Sequence, residues 1–255
     1  IQEALTWVRL EKHPHIVQAR VVRTIRGRPH IFLEHVSGPE GLGSDLRAWI
    51  DHNRLTIELT VKFGLHVARG MQHAVEKVPG LVHSVAVADV PLGEDDDSPV
   101  RLTRVGSVVG TAPYMSPEQC RAEAVDPRSD IYAFGCILFE MLAGRPVFPA
   151  RKFHAWLAAH LAETPAIPAD VAADIPGELS KLVLDCLAKA PDDRPSDWGA
   201  VVDRLTPIYQ DVWGEPVSED LSGAQLAAHE LMDKGYSLTE LGRAEEALDA
   251  YDRAI

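Results

Sequence analysis

The residues able to hold a metal are eleven histidines, three cysteines and the acidic run Glu94–Asp97, and their spacing argues against that chemistry. No His-Glu-x-x-His occurs, His13 and His15 straddle a proline, and no ligand-bearing loop continues after the acidic run, which reads as solvated. Cys120, Cys136 and Cys186 form no Cys-x-x-Cys pair and read as small buried hydrophobes in a reducing cytoplasm. More particular is the stretch "VGTAPYMSPEQ", Val109 to Gln119. Pro113 and Pro117 fix φ and remove donors, Gly110 permits unusual φ, and Thr111, Tyr114 and Met115 suggest a shaped surface on which something docks. Asp130 opens an apolar run, where its carboxylate can accept backbone N–H groups and cap a helix.

These residues sit in a chain of 255 residues, 46% hydrophobic, with a net charge of −13. That is enough apolar material for a globular core, and no positive field exists to gather nucleic acid or anionic lipid. No apolar run reaches membrane-spanning length and the first residues lack signal-peptide architecture, so a cytoplasmic setting is expected. "IQEALTWVRLEK" predicts a helix ending near Lys12, where "HPH" resists the α region, and the β-branched runs flanking "RGRP" predict a hairpin. A short helix in "DLRAWIDHN" precedes a long amphipathic one whose apolar face is Ile57, Val61, Leu65, Ala68, Met71 and Val75. "LVHSVAVADVPLG" gives a brief strand-like alternation. From "SDIYAFGCILFEMLAG" onward the pattern is helical, with this nearly all-apolar helix expected at the centre and a boundary at 214–223.

Several of these segments, in this order, resemble a bacterial-type serine/threonine protein kinase over roughly residues 1–205. "VGTAPYMSPEQ" is similar to the end of the activation segment, with Ser116 in place of the alanine of Ala-Pro-Glu. "SDIYAFG" resembles the start of the central helix that follows, "KAPDDRPS" the late arginine turn, "HPHIV" the link after the regulatory helix, and "IFLEHVSG" the strand entering the hinge. The resemblance implies that Glu118 and Arg194 pair as a fold clamp and that Asp130 steadies the catalytic loop. It also implies that Thr111 organises the acceptor hydroxyl, and that Leu33, Glu34, His35 and Val36 meet an adenine ring. Glu3 falls one residue from the usual place of the regulatory-helix glutamate; a solvated helix-face glutamate is the other reading, as a turn-forming hydroxyl is for Thr111. ATP and Mg²⁺ are the implied cofactors and a protein the implied partner. The last segment, with Gly235, Ala247 and Ala254 beside Tyr236 and Tyr251, resembles a tetratricopeptide repeat cut from a longer array; a single amphipathic hairpin is the alternative.

The phosphate-handling parts are incomplete. No Gly-x-Gly-x-x-Gly with a following Val-Ala-x-Lys precedes Glu3. "GLVH" ending at His83 resembles the approach to the His-Arg-Asp catalytic loop, and "VAVADVPLG" the Asp-Phe-Gly strand, which places the metal aspartate at Asp89. Only "SVAVA" lies between them, too few positions for the eight-residue catalytic motif. Val90 and Pro91 stand where phenylalanine and glycine are usual, and Ser98, Thr103 and Ser107 are candidate phosphoacceptors or ordinary loop hydroxyls. The expected fold is α+β, mainly α. Residues 1–36 are a partial kinase N-lobe, 37–213 a C-lobe lacking the catalytic loop, 214–223 a linker and 224–255 a truncated repeat hairpin. Three readings stay open: a gapped copy of an active kinase, a pseudokinase scaffold, or a remnant.

Overall fold

The protein is described by a computed structural model covering residues 2–36, 46–52, 55–82, 112–150, 152–214 and 228–254. In chain order its elements are α1 (Gln2–Arg9), β1 (Ala19–Ile25), β2 (Arg28–Leu33), α2 (Leu46–Asp51) and α3 (Ile57–Lys77). After a 3-10 turn at Ala112–Tyr114 come α4 (Pro117–Cys120), α5 (Pro127–Ala143), α6 (Phe153–Ala162), α7 (Ala169–Ala172) and α8 (Gly177–Cys186). A second 3-10 turn at Pro191–Asp193 precedes α9 (Trp198–Trp213), α10 (Ala228–Glu240) and α11 (Ala244–Asp252). Two compact units result: Ile1–Asp45 with Arg69–Pro79 and Ser218–Ile255, and Leu46–Ala68 with Gly80–Val217. These units are drawn differently from the division at 36 and 213 read from the sequence. The last two helices fold with the N-terminal segment, and α3 contributes residues to both units. The 214–223 boundary lies, but for Gly214, outside the described residues.

In the first unit, α1 turns Ala4, Leu5 and Val8 inward, and these meet Val22, Leu238, Ala247 and Ala250 in one core. The helix stops at Arg9, short of the expected Lys12, because Glu11 takes a left-handed φ of 55°. Between β1 and β2, Arg26 and Gly27 both have positive φ, 52° and 75°, the primed turn whose twist matches antiparallel strands. Helices α10 and α11 approach closely at Gly235, where a Cβ would stand 2.6 Å from Cδ1 of Tyr251. The small residue and the aromatic thus fill one another's space.

The second unit is built around α5. Asp126 caps it by accepting from the N–H of Arg128, Pro127 occupies the first turn, and Gly144 ends it at φ 66°. Apart from Ile137, every residue from Ser129 to Met141 is buried, as the nearly unbroken apolar run predicts. The cap is Asp126 rather than Asp130, which lies a turn inside the helix at 1% exposure. On α3 the face is narrower than expected: Val61, Leu65 and Ala68 are fully buried, while Ile57, Met71 and Val75 are half-buried.

Glycine lets α5 touch α8. A Cβ on Gly135 would lie 2.7 Å from Cβ of Cys186 and 3.3 Å from its carbonyl carbon, whereas a Cβ on Gly64 would crowd the tip of the Leu138 side chain, at 2.8 Å, with its other neighbours at ordinary contact distance. Gly135→Ala is expected to cost about 1–3 kcal/mol in urea unfolding, since backbone must move. Gly64→Ala is expected to cost less, because the Leu138 tip can rotate and alanine gains about 1 kcal/mol of helix propensity.

Candidate functional site

Residues 112–120 fold as two short helical turns joined at Met115 and Ser116. Ser116 makes α4 possible. Its hydroxyl accepts from the Gln119 N–H at 3.3 Å, and the Gln119 carboxamide accepts from the Ser116 N–H at 2.9 Å, a reciprocal capping box. Tyr114, Met115, Ser116, Pro117 and Glu118 are all buried. The expectation that Tyr114 and Met115 shape an outward docking surface is corrected: the segment's apolar and acidic groups face the core, because partners for each of them wait there.

The most connected of these is Glu118. Arg194 forks onto it, Nη1 to Oε1 at 2.7 Å and Nη2 to Oε2 at 2.8 Å, and Ser129 Oγ donates to Oε1 at 2.6 Å. Arg194 spends its remaining donors on three carbonyls: Nε on Ala188 at 2.8 Å, Nη1 on Arg128 at 2.9 Å and Nη2 on Lys189 at 3.1 Å. All five guanidinium N–H groups are thereby satisfied, and the guanidinium carbon stands 4.9 Å from the centre of the Tyr132 ring. Glu118 and Arg194 are 4% and 5% exposed. Burial alone would raise the Glu118 carboxyl, but the Arg194 and Ser129 hydrogen bonds outweigh it and hold it at about 2. The Arg128 side chain continues the network to Asp126 and Asp192.

A second network ties the preceding turn. Tyr114 donates to Glu140 Oε2 at 2.5 Å, while Arg47 on α2 reaches Glu140 Oε1 at 2.8 Å and the Tyr114 hydroxyl at 2.7 Å. Burial and the carboxylate together push the Tyr114 phenol upward. Nearby, the Tyr132 hydroxyl lies 2.9 Å from Nδ1 of His160, whose imidazole burial drives down to about 4. His160 is thus neutral near pH 7. Lys189 lies 4.6 Å from the centre of the Phe148 ring, and its amine is lowered by burial.

Of the residues singled out in the sequence, the structure brings Glu118 and Arg194 together and sets Asp130 in the adjoining first turn of α5. In the other unit, Leu33 ends β2 and, like His35 and Val36, is exposed. Glu34 is bonded to the start of β1, its N–H to the Gln18 carbonyl at 2.9 Å and its carboxylate to the Gln18 N–H at 2.8 Å. Glu3 is exposed on α1. His83, Asp89 and Thr111, with Ser98, Thr103 and Ser107, lie outside the described residues. Sequence reasoning passed over Arg47, Ser129, Glu140 and His160. Only the Ser-x-x-Gln signature at 116–119 was there to be read.

Among the described residues no cluster of histidine, cysteine and carboxylate side chains could hold a metal ion, and no helix is long and apolar enough to cross a membrane.

Residues 94–213 match the model of the protein kinase domain. The serine/threonine-protein kinase PknB of Mycolicibacterium smegmatis is 46% identical over 93 residues, 36% of this chain and 15% of the relative. A probable serine/threonine-protein kinase of Streptomyces coelicolor is 32% identical over 182 residues, 65% of this chain and 26% of the relative. Serine/threonine-protein kinase A of Synechocystis is 30% identical over 245 residues, 86% of this chain and 46% of the relative. The chain is thus similar to bacterial serine/threonine protein kinases, and a mainly helical fold with a small two-stranded sheet is consistent with a kinase domain. The chain spans less than half the length of these relatives.

Removing one partner of the buried pair leaves a charge with no counterpart. Glu118→Ala is expected to lower stability by about 3–5 kcal/mol in denaturant unfolding, and Glu118→Leu combined with Arg194→Met to cost less. Because the folded carboxyl titrates below its ordinary value of 4.5, its contribution is complete above pH 4.5 and is lost as pH falls through about 2. Glu118→Gln is expected to flatten that limb of the acid unfolding curve; a limb unchanged in Glu118→Gln would refute the assignment.

Proposed function

We propose that this chain is a stretch of a bacterial-type protein kinase whose parent transfers a phosphoryl group from ATP to serine or threonine of a protein, in the cytoplasm. The observation that carries the reading is the buried pair Glu118–Arg194, which fastens the segment "SPE" to the late arginine turn within the stretch that matches the kinase domain. A serine or threonine acceptor requires a preformed rest for its flanking peptide, and two hydrogen-bonded networks beneath residues 112–119 supply rigidity for one. Phosphoryl transfer further requires a residue that orients the attacking hydroxyl and ligands for Mg²⁺.

The copy as written does not perform the transfer. Five residues separate His83 from Asp89, and no aspartate precedes Asp89 there to take the acceptor proton, nor any asparagine to complete the metal site. A scaffold that binds proteins without transferring phosphate is the second reading. It is favoured by the complete hydrogen bonding of Arg194 in a chain lacking the catalytic loop, since the peptide-side architecture stands without the chemistry. The C-terminal hairpin is read as tetratricopeptide-like, on the close approach of Gly235 to Tyr251.

Incubation of the purified 255-residue chain with Mg²⁺, labelled ATP and a generic acceptor protein is expected to give no transfer above background. Transfer above background would overturn the inactive reading. Genomic sequence across the codons for His83 and Ser84 separates the two parents: a recovered catalytic loop supports the active kinase, uninterrupted coding the scaffold.

A further inference from the structure

Among the described residues, strand β1 pairs with β2 alone, which leaves its outward N–H groups, those of Val22 and Thr24, in need of acceptors. An open edge of this kind is a template for another strand unless something covers it. Here α10 supplies the acceptors. Ser237 Oγ accepts from the Val22 N–H at 2.9 Å, and Glu240 Oε2 accepts from the Thr24 N–H at 2.9 Å. The Ser237 hydroxyl gives its own proton to the Asp233 carbonyl at 2.8 Å, which turns its lone pairs toward the strand. The spacing is geometrically apt. Two residues of strand advance about 6.8 Å, and three residues of helix about 4.5 Å. The longer glutamate side chain makes up the difference.

The same hairpin grips α1 and the turn after it. Arg9 reaches Glu246 on α11 at 3.3 Å, Lys12 reaches Glu230 on α10 at 3.3 Å, and Glu11 is held between Lys234 on α10 at 2.7 Å and Lys77 on α3 at 2.6 Å. Between these ties the apolar faces close, Leu5 and Val8 of α1 joining Leu238 and Ala247 in the core. Edge acceptors, ion pairs and apolar burial all converge on one pair of elements.

We propose that the hairpin Ala228–Asp252 is a clamp acting in cis on the N-terminal lobe remnant, holding α1 by standing where a neighbouring strand would otherwise pair with β1. The inference rests on the kinase reading for the identity of α1 as the regulatory helix. Its consequence is that whatever engages α10 and α11 changes the freedom of α1. The occupant of the β1 edge is this chain's own C-terminal segment rather than a second copy, because the ion pairs, the two edge hydrogen bonds and the core all lie within one compact unit of a single chain.

Amide hydrogen exchange on the whole 255-residue chain tests the clamp. In the wild type the amides of Val22 and Thr24 are expected to be protected, independently of protein concentration. In Ser237→Ala/Glu240→Ala they, together with Leu5 and Val8 of α1, are expected to exchange about fivefold faster or more, with Leu138 and Val201 unchanged. Ser237→Thr keeps the hydroxyl and is expected to keep Val22 protected. Unprotected edge amides in the wild type, protection that grows with concentration, or an α1 indifferent to the double substitution would each overturn the proposal. None of these readouts involves ATP, so a failed clamp leaves the kinase reading standing, and a failed kinase reading leaves a measured clamp intact.

Discussion

Arg194 is the point on which the helical unit depends. Its five N–H groups end on two carboxylate oxygens and three carbonyls, and those acceptors belong to α4, to the first turn of α5 and to the chain leaving α8. A guanidinium so placed cannot be moved without opening several hydrogen bonds at once, and lysine could not replace it, having three donors and no planar fork. Glu118 is fixed in turn by Ser129, so the carboxylate is committed on both oxygens. What such a buried pair supplies is a unique arrangement rather than raw stability, since its desolvation offsets much of its attraction.

From that fixed point the order of the adjoining segment follows. The Ser116 capping box sets the axis of α4, which presents Glu118 to Arg194. One turn earlier, Tyr114 is seized by Glu140 and Arg47, so the segment is held at both ends. The two networks meet α5 about three turns apart, at Ser129 and Glu140, and that helix is long and buried enough to serve as their common beam.

Much of this was legible. The β-branched runs on either side of "RGRP" announced the hairpin, the apolar run 131–141 announced a central helix, and the small residue at Gly235 announced a close helix pair. What was misread has physical reasons. Asp130 looked like a cap because it begins the apolar run, yet Asp126 precedes Pro127, a first-turn proline, and Pro127 fixes where the helix starts. Tyr114 and Met115 looked like surface because prolines and glycine surround them, but the Tyr114 hydroxyl is drawn inward by Glu140, 26 residues away, and Met115 is buried with it. The union of α10 with β1 was invisible in the same way: Ser237 and Val22 are 215 residues apart, and no local periodicity encodes a contact of that span.

The meeting of Gly135 with Cys186 carries one more implication. Two helix backbones that approach this closely leave no path for a reagent to the sulfurs beside them, and burial pushes the Cys136 thiol up and that of Cys186 to about 12. At neutral pH neither is a nucleophile. Alkylation of these two sulfurs is therefore an internal stopwatch for the parting of α5 from α8: each labelled thiol records one excursion in which the beam came free, whereas rapid labelling of both in the folded protein would mean that the seam is not closed.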